Sequence, residues 1–167
     1  MKRVSSGKLN DVLGDDFADF IIEMNESGVD FVLVGGYAVG IYGVVRATAD
    51  IDFLYRRTPE NVARLCAALR RFGAPEIVIA PKELLKPEMV SAFGSPPQRI
   101  DLLSSISGVD FDTVWAGSSM LTLEDVTLRV IGLEELRKNK KASGRQKDEA
   151  DLKKLPKPNS PKRHRTP

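Results

Sequence analysis

Apolar residues recur along the first half of the chain with two distinct periods. Val12, Leu13, Phe17, Phe20, Ile21 and Met24 fall at helical spacing between Asp11 and Ser27, and Gly28 supplies a stop. Phe31-Val32-Leu33-Val34 is apolar at every position, which predicts a central strand covered on both faces. A glycine-rich turn follows, then a short helix-like stretch from Tyr37 to Tyr42, then a second strand from Ala49 to Tyr55. Thr58-Pro59 opens a helix, with Thr as cap and Pro at the first position. Val62, Leu65, Cys66, Leu69 and Phe72 form its apolar face, and Gly73 closes it.

The pattern weakens beyond this point. Glu76 to Ala80 (EIVIA) reads as a short strand and Pro81 to Leu85 as a helical turn. Val90 to Phe93 and Arg99 to Leu103 read as strands joined by Gly94-Ser95-Pro96-Pro97. Asp110 to Trp115 reads as a short helix, and Val126 to Ile131 alternates as a strand does. Gly132 to Lys141 and Gln146 to Leu155 read as two helices broken at Gly144. From Pro156 to Pro167 four prolines stand among almost no apolar residues, the composition of a disordered tail. Strands interleaved with helices predict an α/β or α+β fold over residues 1–155, a small mixed sheet flanked by helices.

Composition changes this picture little. A chain of 167 residues is long enough for one domain with a real core. A net charge of +2 excludes a molecule that is basic overall, as many nucleic-acid binders are. From Lys153 onward, however, Lys154, Lys157, Lys162, Arg163 and Arg165 follow with no acid, and such a tail suits an RNA partner. The single Cys66 cannot form an internal disulfide, which fits a reducing, cytoplasmic compartment. Lys2 and Arg3 precede polar residues where a signal peptide needs apolar ones. The longest apolar tract, Phe31 to Val45, contains four glycines and is shorter than the ~20 residues of a membrane span. No membrane partner is expected. The only histidine, His164, lies in the tail, which removes His-based triads and His-rich zinc sites.

The chemistry concentrates between Leu33 and Tyr55. Asp50 and Asp52 are two apart on a strand, so both carboxylates face one side. Like charges held together need a cation. No Lys or Arg lies between Ala47 and Tyr55, so a divalent metal is the economical choice, and oxygen-only ligands point to Mg²⁺. Gly35-Gly36 sits between the first strand and a helix-like stretch, where bare backbone amides attract phosphate oxygens. The spacing is neither G-x-G-x-x-G nor G-K-[ST], against a dinucleotide site or a P-loop. Asp101, between Ile100 and Leu102, is a carboxylate in mid-strand that needs a partner. Should its strand lie beside that of Asp50, three acids can hold two metal ions for phosphoryl or nucleotidyl transfer. Asp101 is then also the candidate base for the attacking hydroxyl.

Taken together, GG-Y-A…G-x-x-R-x-T-x-D-I-D with a later lone Asp resembles the minimal nucleotidyltransferases of the DNA polymerase β superfamily. The resemblance is greatest to bacterial proteins of the abortive-infection AbiEii type, and it covers Phe31 to Tyr55, Asp101 and Lys138 to Asp151. It implies a polymerase-β-type sheet and two Mg²⁺ ions on Asp50, Asp52 and Asp101. It implies a nucleoside triphosphate at Gly35 and Gly36, with Arg46 and Thr48 fitting the motif. Lys138 and Arg145 would contact triphosphate or acceptor, with Asp148 and Asp151 orienting that segment. Gly36 departs from the pattern, since many members carry Ser there. The resemblance further implies transfer of a nucleoside monophosphate to a hydroxyl acceptor: an RNA such as tRNA, a protein, or a small molecule such as an aminoglycoside. A toxin–antitoxin or phage-defence setting, with a cognate toxin or antitoxin as partner, goes with that family.

Plainer readings stand beside these. Arg46 equally fits an ion pair with a nearby carboxylate, and Lys138, Lys140, Lys141, Arg145 and Lys147 a solvated helix face. Asp148 and Asp151 equally fit acids at a helix start. The alternative for the whole chain is a catalytically silent nucleotide- or partner-binding module.

Overall fold

The computed structural model describes residues 14–123 and 126–158. Its elements are α1 (Asp15–Glu26), β1 (Phe31–Val34), α2 (Gly35–Ile41), β2 (Asp50–Tyr55), α3 (Pro59–Phe72), α4 (Pro81–Leu84), β3 (Val90–Phe93), β4 (Arg99–Leu103), α5 (Phe111–Gly117), β5 (Ser119–Leu123), β6 (Val126–Val130), α6 (Leu133–Ser143) and α7 (Gln146–Lys154). The strands form one six-stranded mixed sheet in the order β3-β4-β2-β1-β6-β5. β2 runs antiparallel to β1 and parallel to β4. The expected mixed sheet flanked by helices is what the chain adopts. No helix among the described residues is long and apolar enough to cross a membrane.

Strand alternation sorts the sheet into two unlike faces. Ile51 and Phe53 of β2 point to the face covered by α1 and α3 and are fully buried. Phe20 of α1 packs edge-on against Phe72 of α3 and Phe93 of β3, and at a tilt against Phe53. This aromatic layer anchors two strands, β2 and β3, and two helices to one another. Asp50, Asp52 and Asp101 occupy the opposite face, toward α6 and α7.

Two joints fix how β1, β2 and α3 meet. Thr58 caps α3 by accepting from the Asn61 N–H, as its sequence predicts. Asn61 is buried and acts as a clasp: its side-chain oxygen accepts from the Asp30 N–H at 2.7 Å, and its amide donates to the carbonyls of Asp30 and Arg56 at 3.1 and 2.8 Å.

Two elements differ from expectation. Glu76 to Ala80 is not a strand: Glu76–Val78 forms a 3-10 turn, with Val78 and Ile79 donating back to Pro75 and Glu76. Pro75 starts the turn and Pro81 starts α4, so the run is too short to reach a ladder, and β4 already has its partners in β2 and β3. β5 had no counterpart in the sequence reading. It is a strand because β6 pairs with it in a hairpin, from Ser119↔Val130 to Leu123↔Val126. Smaller shifts occur at ends: α2 begins at Gly35 rather than after the glycines, and Gly144 caps α6 with φ +63. The start of the first helix at Asp11 and most of the basic tail, His164 included, lie outside the described residues.

Replacing Asn61 with Ala strands the Asp30 N–H in the interior and costs about 2–3 kcal/mol. A lower urea midpoint with an unchanged m-value is the expected readout.

Candidate metal and nucleotide site

The site is set first by strand register. β2 pairs with β4 so that Asp52 lies directly opposite Asp101, with Asp50 two residues away on the same face opposite Arg99. Carboxylate oxygens of Asp50, Asp52 and Asp101 all lie within 4.8 Å of one another. Three like charges at that spacing repel strongly. Burial, reinforced by Asp50 and Asp101, pushes the Asp52 carboxyl up from 3.8 to about 7. Burial also raises Asp101, although Arg99 opposes it: the guanidinium Nε lies 2.7 Å from Asp101 Oδ1. An all-oxygen set with a carboxyl this reluctant to ionise suits a hard divalent cation, which would relieve the repulsion.

The glycine pair lies beside the acids because β1 delivers it there. Val34 is opposite Asp52, and Gly35 follows at once. Gly35 has φ +69, and a Cβ at this position would land on the Asp52 carboxylate. Only glycine satisfies both the backbone and the close approach. At Gly36 a Cβ would sit 2.8 Å from Thr48 Oγ1 and 2.9 Å from an Arg46 nitrogen. The resembled family's Ser does not fit here without moving those two side chains. Thr48 in turn donates to the Asp50 carbonyl at 3.0 Å, bracing the entry to β2.

A buried charge cluster closes the other wall. Lys140, only 3% exposed, reaches Asp148 at 2.9 Å and Asp151 at 3.4 Å. Asp148 also accepts from Arg145 at 2.7 Å and from the Ser143 hydroxyl at 2.7 Å. Burial alone would raise the Asp148 carboxyl, but hydrogen bonds from Ser143, Lys140 and Arg145 outweigh it and hold it well below the usual range. Asp151 lies 3.2 Å from Arg46 Nε, so the ion pair open to Arg46 on sequence grounds is present. Asp148 and Asp151 are therefore buried supports for cations. Arg46, Lys140, Arg145 and Lys147 join the glycines and the three acids around a cleft of about 570 Å³, within the size range of small-molecule sites.

Of the residues singled out in the sequence, Gly35, Gly36, Arg46, Thr48, Asp50, Asp52, Asp101 and Arg145 line this cleft, and Asp148 and Asp151 stand behind it. Lys138 does not. It is exposed, pairs with Glu134 at 3.1 Å one turn away and faces another groove. The reason is helical phase: Leu136 and Lys140 share the buried stripe of α6, and Lys138 lies about 200° from Lys140. That phase was the signal for Lys140. Arg99 was also missed, and its signal is the two-residue spacing that puts it on the face of Asp101.

No protein-family model matches the chain, and no curated protein matches it.

Two outcomes test this geometry. Lys140→Leu leaves Asp148 and Asp151 without their shared cation and costs about 3–5 kcal/mol, whereas Lys138→Ala changes stability by less than about 0.5 kcal/mol. Thermal unfolding of the two variants separates them. The raised Asp52 carboxyl binds a proton in the folded chain that the unfolded chain has lost, so metal-free stability falls as pH rises from about 4 to about 7. Asp52→Asn in EDTA at pH 8 therefore gains about 1–2 kcal/mol, a Tm rise of roughly 3–8 °C, and the gain shrinks at pH 5.

Proposed function

We propose that this chain is a Mg²⁺-dependent nucleotidyltransferase with a polymerase-β-type sheet, moving a nucleoside monophosphate from a triphosphate to a hydroxyl acceptor. The observation that carries the reading is the Asp52↔Asp101 register, which gathers three carboxylates from two strands beside a glycine pair. Asp50, Asp52 and Asp101 would hold the metal, whose role when bound is to neutralise charge on the reacting phosphate oxygens.

The protein groups divide the remaining work. The Gly35 and Gly36 backbone at the start of α2 would offer N–H groups to phosphate, while the room left by the missing side chains is taken by Asp52 at Gly35 and by Thr48 and Arg46 at Gly36. Arg46, Arg145 and Lys147 line the same cleft and offer positive charge to the triphosphate. Asp148 and Asp151 keep Arg46 and Arg145 in place, so the cations meet the nucleotide already ordered. The attacking hydroxyl enters from the side opposite the departing pyrophosphate and gives its proton to Asp101.

One observation favours the silent-module alternative. Arg99 already neutralises part of the Asp101 charge, as a protein that no longer binds metal would do. Its side chain is 42% exposed, however, and therefore free to swing aside when a stronger cation arrives.

The chain, incubated with each α-labelled nucleoside triphosphate, Mg²⁺ and a cell extract, transfers label to an acceptor. Asp50→Ala and Asp52→Ala lower that transfer by at least about 100-fold, and EDTA abolishes it. Absence of transfer from all four nucleotides, with a thermal shift still caused by them, selects the silent module.

A further inference from the structure

The transferase reading leaves the base of the nucleotide open, and the two ends of the cleft narrow it. β1 and β2 run antiparallel, so Gly35, one step past Val34, lies toward the Asp50 end of β2. β4 runs parallel to β2 and leads the other way, from Asp101 opposite Asp52 to Leu103 opposite Leu54, and on to Ile106 and Ser107. The acids therefore stand between a glycine end and a far end. Charge divides the same way. Arg46 reaches the Gly36 position and pairs with Asp151 of α7, and Arg145 and Lys147 stand at the start of that helix. Arg99 lies opposite Asp50. At the far end the wall of α6 presents Asn139, one turn before Ser143. Its neighbour Lys140 is already held between Asp148 and Asp151.

The loop after β4 is built to meet Asn139. Ile106 and Val109 form a β-bridge, and Gly108 between them has φ +80. A Cβ on Gly108 would lie 2.5 Å from the Ala142 Cβ and 3.3 Å from the Lys138 carbonyl oxygen, so the turn rests directly on α6. Only glycine meets both demands. This contact sets the Ser107 carbonyl 3.0 Å from the Asn139 amide nitrogen. A carbonyl can only accept, so the nitrogen of the amide, and not its oxygen, turns to the loop. The oxygen is left for a ligand. Among the described residues no hydrogen bond engages it.

We propose, resting on the transferase reading, that Asn139 selects the base: the nucleoside triphosphate carries adenine or cytosine, whose exocyclic amino group donates to Asn139 Oδ1. With the triphosphate held between the glycine pair and the cations, ribose and base extend past the acids to the far end. Leu103 and Ile106 give the flat faces of the base an apolar wall there, and Asn139 meets its polar edge.

Adenine and cytosine carry N–H donors where guanine and uracil carry carbonyl oxygens. An oxygen set against Asn139 Oδ1 leaves both acceptors without a donor, and sites that hydrogen-bond a substrate group discriminate strongly against analogues lacking it. An unrestrained asparagine could turn its amide over and serve either kind of base. Here turning it over sets oxygen against the Ser107 carbonyl and loses a hydrogen bond, so the preference is fixed by the loop.

Calorimetric titration of the full chain, with Mg²⁺ and no acceptor, tests this. ATP is expected to bind at least about tenfold tighter than inosine triphosphate, whose base carries an oxygen where adenine carries the amino group, and CTP at least about tenfold tighter than UTP. Asn139→Leu brings both ratios to within about twofold. Equal affinities in the native chain overturn the proposal, as does a preference for inosine triphosphate and UTP, or a native ratio that survives in Asn139→Leu. Inorganic tripolyphosphate separates the two readings. If it binds while the bases go undistinguished, the role of Asn139 alone is refuted. If neither it nor any nucleotide binds, the transferase reading falls and the base preference with it. The expected ratios without label transfer to any acceptor support base selection by Asn139 and refute catalysis.

Discussion

Repulsion among three carboxylates governs this structure. Nothing in the local chemistry of Asp50, Asp52 and Asp101 favours their meeting; the register between β2 and β4 imposes it. That register is held from behind, where Phe53 and Phe93 lock into the aromatic layer of α1 and α3. Apolar burial on one face thus stabilises crowding of charge on the other, and slipping either strand by one residue would turn the acids inward and the aromatics out. The sheet stores this unfavourable contact at the one place where a bound cation would reverse its sign.

The ionic cluster around Lys140 follows a different logic. Its charges are fully paired, with Lys140 shared between Asp148 and Asp151. Such pairs contribute little net stability, since desolvation offsets most of the attraction. What they supply is direction: α6 and α7 turn about Gly144, and the cluster fixes the angle at which Arg145 and Arg46 enter the cleft. The acid trio has the Arg99 guanidinium on Asp101 against three carboxylates, whereas the cluster is self-contained behind it, so the first stands readier to take up an external cation.

How much of this the sequence shows depends on the range of the interaction responsible. β1, β2, α3 and the glycine pair are legible because short-range patterns specify them: an unbroken apolar run, a two-residue alternation, a Thr-Pro cap. Asp101 as a member of the trio is legible only through resemblance, because nothing local says which strand becomes its neighbour. Glu76 to Ala80 has the composition of a strand and lacks a partner, whereas β5 has a partner and a weaker pattern. Lys138 was preferred to Lys140 because spacing along a line hides phase around a helix; Leu136 reveals that phase once the buried stripe is drawn.

Gly36 has a consequence of its own. The space its missing side chain leaves is occupied by Thr48 and by the guanidinium of Arg46, which continues to Asp151. Positions 36, 46, 48 and 151 are therefore mechanically linked. Enlarging the first requires displacing the next two, and displacing Arg46 leaves Asp151 on α7 with Lys140 alone as its counter-ion, so a side chain at position 36 would be felt as far away as the second wall of the cleft.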